Sequence, residues 1–109
     1  RYRYIVNLTP EATFQNVETK SPLFKEWKSL AETDSHAKAM TTKYQHRPAI
    51  ELYDVKNDPY CMKNLAEDAN QASTISRLDK ELKRWMKDCG DEGQPTEMRA
   101  FEHMPGKRK

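Results

Sequence analysis

The chain has few glycines, few cysteines and no long apolar run, and each shortage excludes a class of function. Its three glycines are scattered at Gly90, Gly93 and Gly106, so no glycine-rich loop could cradle a phosphate. Its two cysteines, Cys61 and Cys89, form no C-x-x-C motif and have no histidine at ligand spacing. Two separate thiols are therefore favoured over a disulfide or a zinc site. No apolar run approaches the roughly 20 residues that cross a bilayer, so we predict no membrane partner.

Charge is balanced rather than basic. Lys and Arg number 19 and Asp and Glu 17, for a net charge of +2, and the two signs are interleaved, which argues against a nucleic-acid partner. The exception is Lys107-Arg108-Lys109, predicted to be a solvated tail. With 109 residues, 36% hydrophobic and 33% charged, the chain can form one domain with a small core.

Nothing in the sequence forms a catalytic centre. His36, His46 and His103 lie in polar segments, and no serine or cysteine is flanked by a nucleophile signature. Two groups of carboxylates lie near turns, but neither has the spacing of a calcium-binding loop, and such carboxylates usually solvate or cap: Glu51, Asp54 and Asp58, and Asp88, Asp91 and Glu92. We predict no catalytic residue and no metal ligand in this chain.

Two segments read as β-strands. In Arg1–Leu8 and Ala49–Val55, β-branched and aromatic residues recur at period two, the pattern of half-buried strands. The side chains expected on one face are Tyr2, Tyr4, Val6 and Leu8 in the first strand, and Ile50, Leu52 and Asp54 in the second. The first strand begins without a turn or cap, so its edge should recruit a neighbour, such as a second copy of the chain.

Helices are predicted between and after these strands. Ser21-Pro22 is a strong start for the first, because serine caps and proline suits the first helical position. Leu23, Trp27, Leu30 and Ala31 follow at helical spacing. Thr33-Asp34-Ser35 should interrupt this helix and cap a second one, which ends at Arg47-Pro48 because the residue before proline is pushed out of the helical region. Asn57-Asp58-Pro59 predicts a turn, and residues 60–64 one turn of helix.

The clearest helix spans Asp68–Cys89 and ends at Gly90, where a left-handed residue is favoured. One apolar stripe runs along it, and we expect this stripe to cover the sheet: Ile75, Leu78, Leu82, Trp85 and Cys89. Asp79 and Lys83 should pair on the wet face. The predicted fold class is therefore α+β, a small antiparallel sheet packed against a long C-terminal amphipathic helix, with additional helices in the connection.

His46-Arg47-Pro48 is the polar cluster with the most specific chemistry. The planar fork of Arg47 suits a sulfate or a carboxylate. The residues alone favour a plainer interpretation, in which Arg47 pairs with an acid such as Glu51 and His46 lies exposed at a helix end.

In order and spacing, several motifs resemble the C-terminal subdomain of sulfatases, nearest to the N-sulphoglucosamine sulphohydrolase branch. The resemblance runs from Arg1 to about Gly93, and its motifs are Arg1-Tyr2-Arg3-Tyr4-Ile5, Ser21-Pro22-Leu23-Phe24, His46-Arg47-Pro48, Glu51-Leu52-Tyr53-Asp54-Val55 with Asp58-Pro59, Asn64-Leu65-Ala66, and Leu82 to Trp85-Met86.

The resemblance implies a larger parent enzyme. Sulfatases combine a large α/β domain, which holds calcium and a formylglycine made from a C/S-x-P-x-R motif, with a smaller α+β domain that has a four-stranded antiparallel sheet. Neither Cys61-Met62-Lys63 nor Cys89-Gly90-Asp91 matches that motif, so calcium and formylglycine would belong to the parent and no cofactor to this chain. The domain prediction is residues 1–93 as the subdomain and 94–109 as an extended or disordered tail.

Within such a parent, the expected partners are its catalytic α/β domain and a sulfated saccharide, with His46 and Arg47 as a wall of the substrate cleft. The strand that precedes the first motif in the family, and pairs with it there, has no counterpart in this sequence. The substrate would be of glycosaminoglycan type, and the parent periplasmic, extracellular or lysosomal. The alternative function is a free-standing module whose helix faces bind a protein or a polyanion.

Overall fold

The structure, a computed structural model, describes residues 1–106, so the tail predicted at Lys107-Arg108-Lys109 lies outside the described residues, as does the side chain of His103. The strands and helices are, in chain order, β1 (Tyr2–Val6), α1 (Pro22–Leu30), α2 (Ser35–Gln45), β2 (Ile50–Asp54), α3 (Ala72–Cys89) and α4 (Gln94–Met98). Short 3-10 helices span Glu18–Lys20, Ala69–Gln71 and Ala100–His103.

The chain divides into two compact units. One, here called the sheet unit, contains residues 1–8 and those from 50 onward; the other, the helical unit, contains residues 9–49. The first holds both strands, α3 and α4, and the second holds α1 and α2.

The predicted α+β class is confirmed by the sheet unit. Strands β1 and β2 pair antiparallel, with Tyr4 opposite Leu52 and Ile5 opposite Glu51. The backbone N–H of Val55 donates to the carbonyl of Arg1 at 2.9 Å. In this register the odd-numbered residues of β1 bond to β2, and the backbone groups of its even-numbered residues point to the opposite edge.

The outer edge of β2 is covered by the side chain of Asn64. Its Oδ1 accepts from the N–H of Leu52 at 3.0 Å, and its Nδ2 donates to the carbonyl of Ile50 at 3.2 Å. The N–H of Leu65 then donates to the carbonyl of Leu52 at 2.8 Å. This short segment replaces a third strand, and residues 1–106 form a sheet of two strands. No partner strand covers the outer edge of β1 among these residues, and recruitment of a neighbour there stays a prediction.

Helix α3 lies against the sheet face predicted to be covered. Tyr4, Ile50 and Ile75 line one groove between the two layers. Of the predicted stripe, Ile75, Leu78 and Leu82 are half-buried, but Trp85 and Cys89 are exposed, and Met86 is half-buried in their place. The prediction was wrong for those two positions because a straight helix rotates its stripe away from a short sheet over about 18 residues.

Local signals at the ends of the helices are confirmed. Ser21 Oγ accepts from the N–H of Phe24 at 3.1 Å, and Asp34 Oδ2 accepts from the N–H of Ala37 at 2.7 Å. Gly90 ends α3 with φ +72°, in the left-handed region. The ammonium of Lys83 lies 2.6 Å from Asp79, as expected.

Two segments differ from their predicted conformation. Residues 60–64 form no helical turn. The carboxylate of Asp58 accepts from the N–H groups of Met62 and Lys63 at 3.0 and 2.8 Å, and these bonds keep the segment in a non-helical conformation. Within the segment predicted to be an extended or disordered tail, the described part forms α4 and a 3-10 helix.

The apolar core is small. Among the described residues, the buried apolar side chains are Phe24 and Ala37 in the helical unit and Leu52 and Tyr53 in the sheet unit. Helix α3 contains no fully buried residue. Much apolar surface therefore remains in contact with water in both units. No helix among the described residues has the length and apolar character to span a bilayer.

Candidate functional site

His46 and Arg47, the two predicted substrate contacts, lie at the C-terminal end of α2. The helix stops at Gln45, and His46 takes an extended conformation with φ −125° and ψ 111°. Pro48 excludes the helical conformation for the residue before it, which explains where α2 ends. The N–H of His46 still donates to the carbonyl of Thr42 at 2.8 Å, so its backbone is held while its side chain is exposed.

Arg47 folds back onto the helix. Its Nη1 donates to the carbonyl of Lys43 at 3.2 Å, a favourable position because the carbonyl end of a helix carries a partial negative charge. Lys28, on α1, donates to Oε1 of Gln45 at 3.1 Å. Three basic side chains thus lie at one end of the helical unit, here called the basic end: Lys28, His46 and Arg47.

Gln45 anchors the basic end. It is buried, its carbonyl accepts from the N–H of Phe14 at 2.7 Å, and its Nε2 donates to the carbonyl of Phe14 at 3.4 Å. A fixed backbone with several cations around it can recognise an anion such as a sulfate group. The sequence indicated His46 and Arg47; Lys28 joins them only through the packing of α1 on α2, which no local spacing reveals. The role of His46 and Arg47 as substrate contacts stays a prediction.

A second polar centre, which sequence reasoning missed, lies in the sheet unit. The carboxylate of Glu51 is 1% exposed. Its Oε1 accepts from the hydroxyl of Tyr53 at 2.5 Å, and its Oε2 accepts from Nδ2 of Asn7 at 2.8 Å. Charged residues are rarely so buried unless they are paired, and Glu51 was expected to solvate or cap, or to pair with Arg47. The usable signal was that Glu51 and Tyr53, two apart on a strand, share a face.

An open groove of about 490 Å³ lies between the sheet and α3. Asp79 lies on its wall, accepting from the hydroxyl of Tyr4 at 2.9 Å and pairing with Lys83. The pKa of Asp79 is lowered, chiefly by its bond to Lys83. Burial and the bond to Asp79 raise the pKa of Tyr4 to about 12. The hydrogen bond between Tyr4 and Asp79 therefore joins β1 to α3.

Two of the other carboxylates near turns, Asp54 and Asp91, also bond to groups of the fold. Asp54 pairs with the guanidinium of Arg1 at 2.9 Å and accepts from Nδ2 of Asn57 at 2.8 Å; the bond to Arg1 is the main reason its pKa is held far below the usual range. Asp91 accepts from the N–H of Gly93 at 2.8 Å. Within the described part of the chain, no group of three or more His, Cys, Asp or Glu side chains is arranged to hold a metal ion. Neither cysteine forms a disulfide there.

Comparison with curated proteins shows similarity to one class of enzyme, the sulfatases. Two matching proteins are both named ulvan-active sulfatase and both come from Formosa agariphila. The chain is 32% identical to one over 101 residues, which is 89% of this chain and 17% of that relative. It is 32% identical to the other over 91 residues, or 84% of this chain and 16% of the relative.

The chain thus spans about a sixth of the length of the curated relatives it matches. This similarity supports a fragment of a sulfatase as the class of the chain. No protein-family profile matches it.

Proposed function

We propose that this chain is the C-terminal part of a sulfatase that hydrolyses sulfate esters or sulfamates of sulfated sugars. The observation that carries the proposal is the similarity over 89% of the chain to 17% of an ulvan-active sulfatase. In this role the chain completes the fold of the enzyme and shapes the substrate entrance. The catalytic α/β domain, with its formylglycine and calcium, would be supplied by the remainder of the parent.

The small core supports a structural role beside a larger body. A chain that depends on its own core would bury most of its large apolar side chains. Among residues 1–106, many large apolar side chains remain exposed, including Leu23 at 75%, Tyr60 at 86% and Trp85 at 61%. Such surface is expected where a second body packs.

The test is the reading frame that encodes this chain. It should contain a C/S-x-P-x-R motif ahead of Arg1, and the full product should release sulfate in a calcium-dependent manner. The 109-residue chain alone should release none, because its sequence contains no such motif. Calcium-dependent hydrolysis by the purified chain would refute the non-catalytic role. A frame without the motif would favour the alternative, a free-standing interaction module.

The basic end is proposed to contact sulfate groups of the substrate. In the full product, His46→Ala and Arg47→Lys should raise KM and leave kcat nearly unchanged, since they remove binding that is equal in ground and transition states. Arg47→Lys keeps the charge but loses the fork. His36→Ala, which removes an exposed histidine from the other end of α2, is the matched control. Unchanged KM in both variants would remove the basic end from the substrate site.

The finer substrate class is also a proposal. The resemblance to the N-sulphoglucosamine sulphohydrolase branch favours a glycosaminoglycan of heparan type, whereas the matching relatives are named for activity on ulvan. Sulfate release from heparan-type oligosaccharides and from ulvan oligosaccharides, measured side by side with the full product, decides between the two.

A further inference from the structure

Helix α1 has apolar side chains on two sides. On one side Phe24 is buried, with its ring centroid 5.5 Å from that of Tyr44 on α2. On the other side Leu23, Trp27 and Leu30 recur at steps of four and three residues and are 75%, 37% and 54% exposed. Together with Glu26 they line an open groove of about 430 Å³. These three apolar residues are called the α1 face below.

The largest side chain of the α1 face is partly ordered before any partner binds. Trp27 packs edge-on against Phe24, with centroids 6.1 Å apart and an interplanar angle of 89°, so its large ring is partly fixed before any contact forms. A fixed aromatic side chain loses little conformational entropy on binding, which is why such residues anchor interfaces. Among the described residues, the side chain of Glu26 has no hydrogen-bond or ion-pair partner. A partner that fits the groove therefore presents an apolar surface with a basic group opposite Glu26.

The size of the α1 face decides which partner this is. A helix of nine residues is about 14 Å long at about 1.5 Å per residue. A stable interface between separate molecules needs about 800 Å² and 20–30 residues on each side, far more than three side chains provide. A second copy would not be held here. A segment of the same polypeptide would bind the α1 face, because the covalent tether raises its effective concentration to about the millimolar range.

We propose that the α1 face is an internal interface of the parent sulfatase, covered by the part of that polypeptide outside this chain. This inference rests on the proposed function and names the surface through which the chain joins its parent. The matching relatives are about six times as long as the stretch they share with it, so they contain a body large enough to cover the face.

Hydroxyl-radical footprinting tests the proposal directly. Side-chain labelling is compared between the 109-residue chain and the full product of its reading frame. Leu23, Trp27 and Leu30 should label several-fold more slowly in the full product. Val17, 84% exposed in the same unit, is the reference for general reactivity within each sample. Equal labelling of the α1 face in both proteins, in a full product that is an active sulfatase, would overturn the inference and leave the proposed function intact. A reading frame without a sulfatase would overturn both.

Variants give an independent measurement. Leu23→Glu and Leu30→Glu should each speed proteolysis of the full product at least about tenfold, the ratio that corresponds to losing one buried leucine. Neither should speed proteolysis of the 109-residue chain, where both side chains already face water. Val17→Glu is the matched control. Variants that leave the full product as resistant as wild type count against the proposal.

Discussion

The hydroxyl of Tyr4 donates a hydrogen bond of 2.9 Å to Oδ1 of Asp79, and this bond joins β1 to α3 across the apolar contact between them. The same carboxylate forms an ion pair with Lys83. Asp79 therefore bonds to both Tyr4 and Lys83 at the solvent-exposed edge of the contact. Since α3 has no fully buried residue, its attachment to the sheet depends on partly buried contacts such as this one.

Tyr4→Phe should destabilise the chain by about 1 kcal/mol, because it deletes one hydrogen bond to a charged acceptor and keeps the ring. Chemical denaturation measures the change. Tyr60→Phe, at an 86% exposed tyrosine, should have no effect. A Tyr4→Phe variant as stable as wild type in the presence of an intact Asp79 would show that the bond contributes nothing.

Alkaline pH should loosen the same contact. The pKa of Tyr4 is raised to about 12, so the neutral phenol is favoured in the folded chain. Its contribution to stability is complete below the ordinary tyrosine pKa of about 10 and is lost as the pH rises towards 12. Ultraviolet titration should show a late phenolate component that Tyr4→Phe removes; identical titration curves for both proteins would contradict the assignment.

Acid should weaken the same contact between β1 and α3 by protonating Asp79. The pKa of Asp79 is lowered, first by its bond to Lys83, so its contribution is present above the ordinary aspartate pKa of about 4 and disappears as the pH falls further. Asp79→Asn should therefore flatten the acid limb of the stability curve. An acid limb of the same slope in this variant would assign the effect to other carboxylates.

Asn64→Ala should destabilise the sheet unit by about 1–3 kcal/mol, because the N–H of Leu52 and the carbonyl of Ile50 lose their partner. Asn64→Asp should cost less, since a carboxylate still accepts from Leu52 but cannot donate to Ile50. Thermal unfolding orders the variants, and Asn70→Ala, at an exposed asparagine, serves as the control. Equal stability of Asn64→Ala, Asn64→Asp and Asn70→Ala would mean that water bonds to Leu52 and Ile50 as well as the Asn64 amide does.

Gly90→Ala should cost about 1 kcal/mol, because its φ of +72° strains any residue with a Cβ. A steric clash does not contribute to this cost, because no other atom lies within 4 Å of the Cβ that alanine would add. Gly90→Asn should cost less, because asparagine tolerates this region better. The ranking of the two unfolding midpoints is the measurement, and an alanine variant as stable as wild type would show that α3 ends differently in solution.

Signals that act within a few residues predicted their elements well. Ser21 with Pro22, Asp34, and Gly90 each fix a helix end through one side chain or one backbone angle, and the structure has all three. Period-two alternation likewise identified both strands and the face that meets α3. Such features depend on local geometry, so the sequence contains them.

Features that depend on distant packing were not predictable in the same way. Nothing near Asn64 in the sequence indicates that its amide would occupy the edge of a strand 12 residues earlier. Glu51 is buried because Tyr53 and Asn7 bring it two partners. At the candidate site, His46 and Arg47 were found from their residue types, but Lys28 reaches Gln45 only after α1 and α2 have packed.

Each unit contains a single tryptophan, Trp27 in the helical unit and Trp85 in the sheet unit. Replacing one with phenylalanine leaves an intrinsic fluorophore that reports on one unit alone. The emission of Trp85→Phe then follows melting of the helical unit, and that of Trp27→Phe follows melting of the sheet unit. Coincident curves would mean that the whole polypeptide melts in one cooperative step, and separated curves that it melts in two.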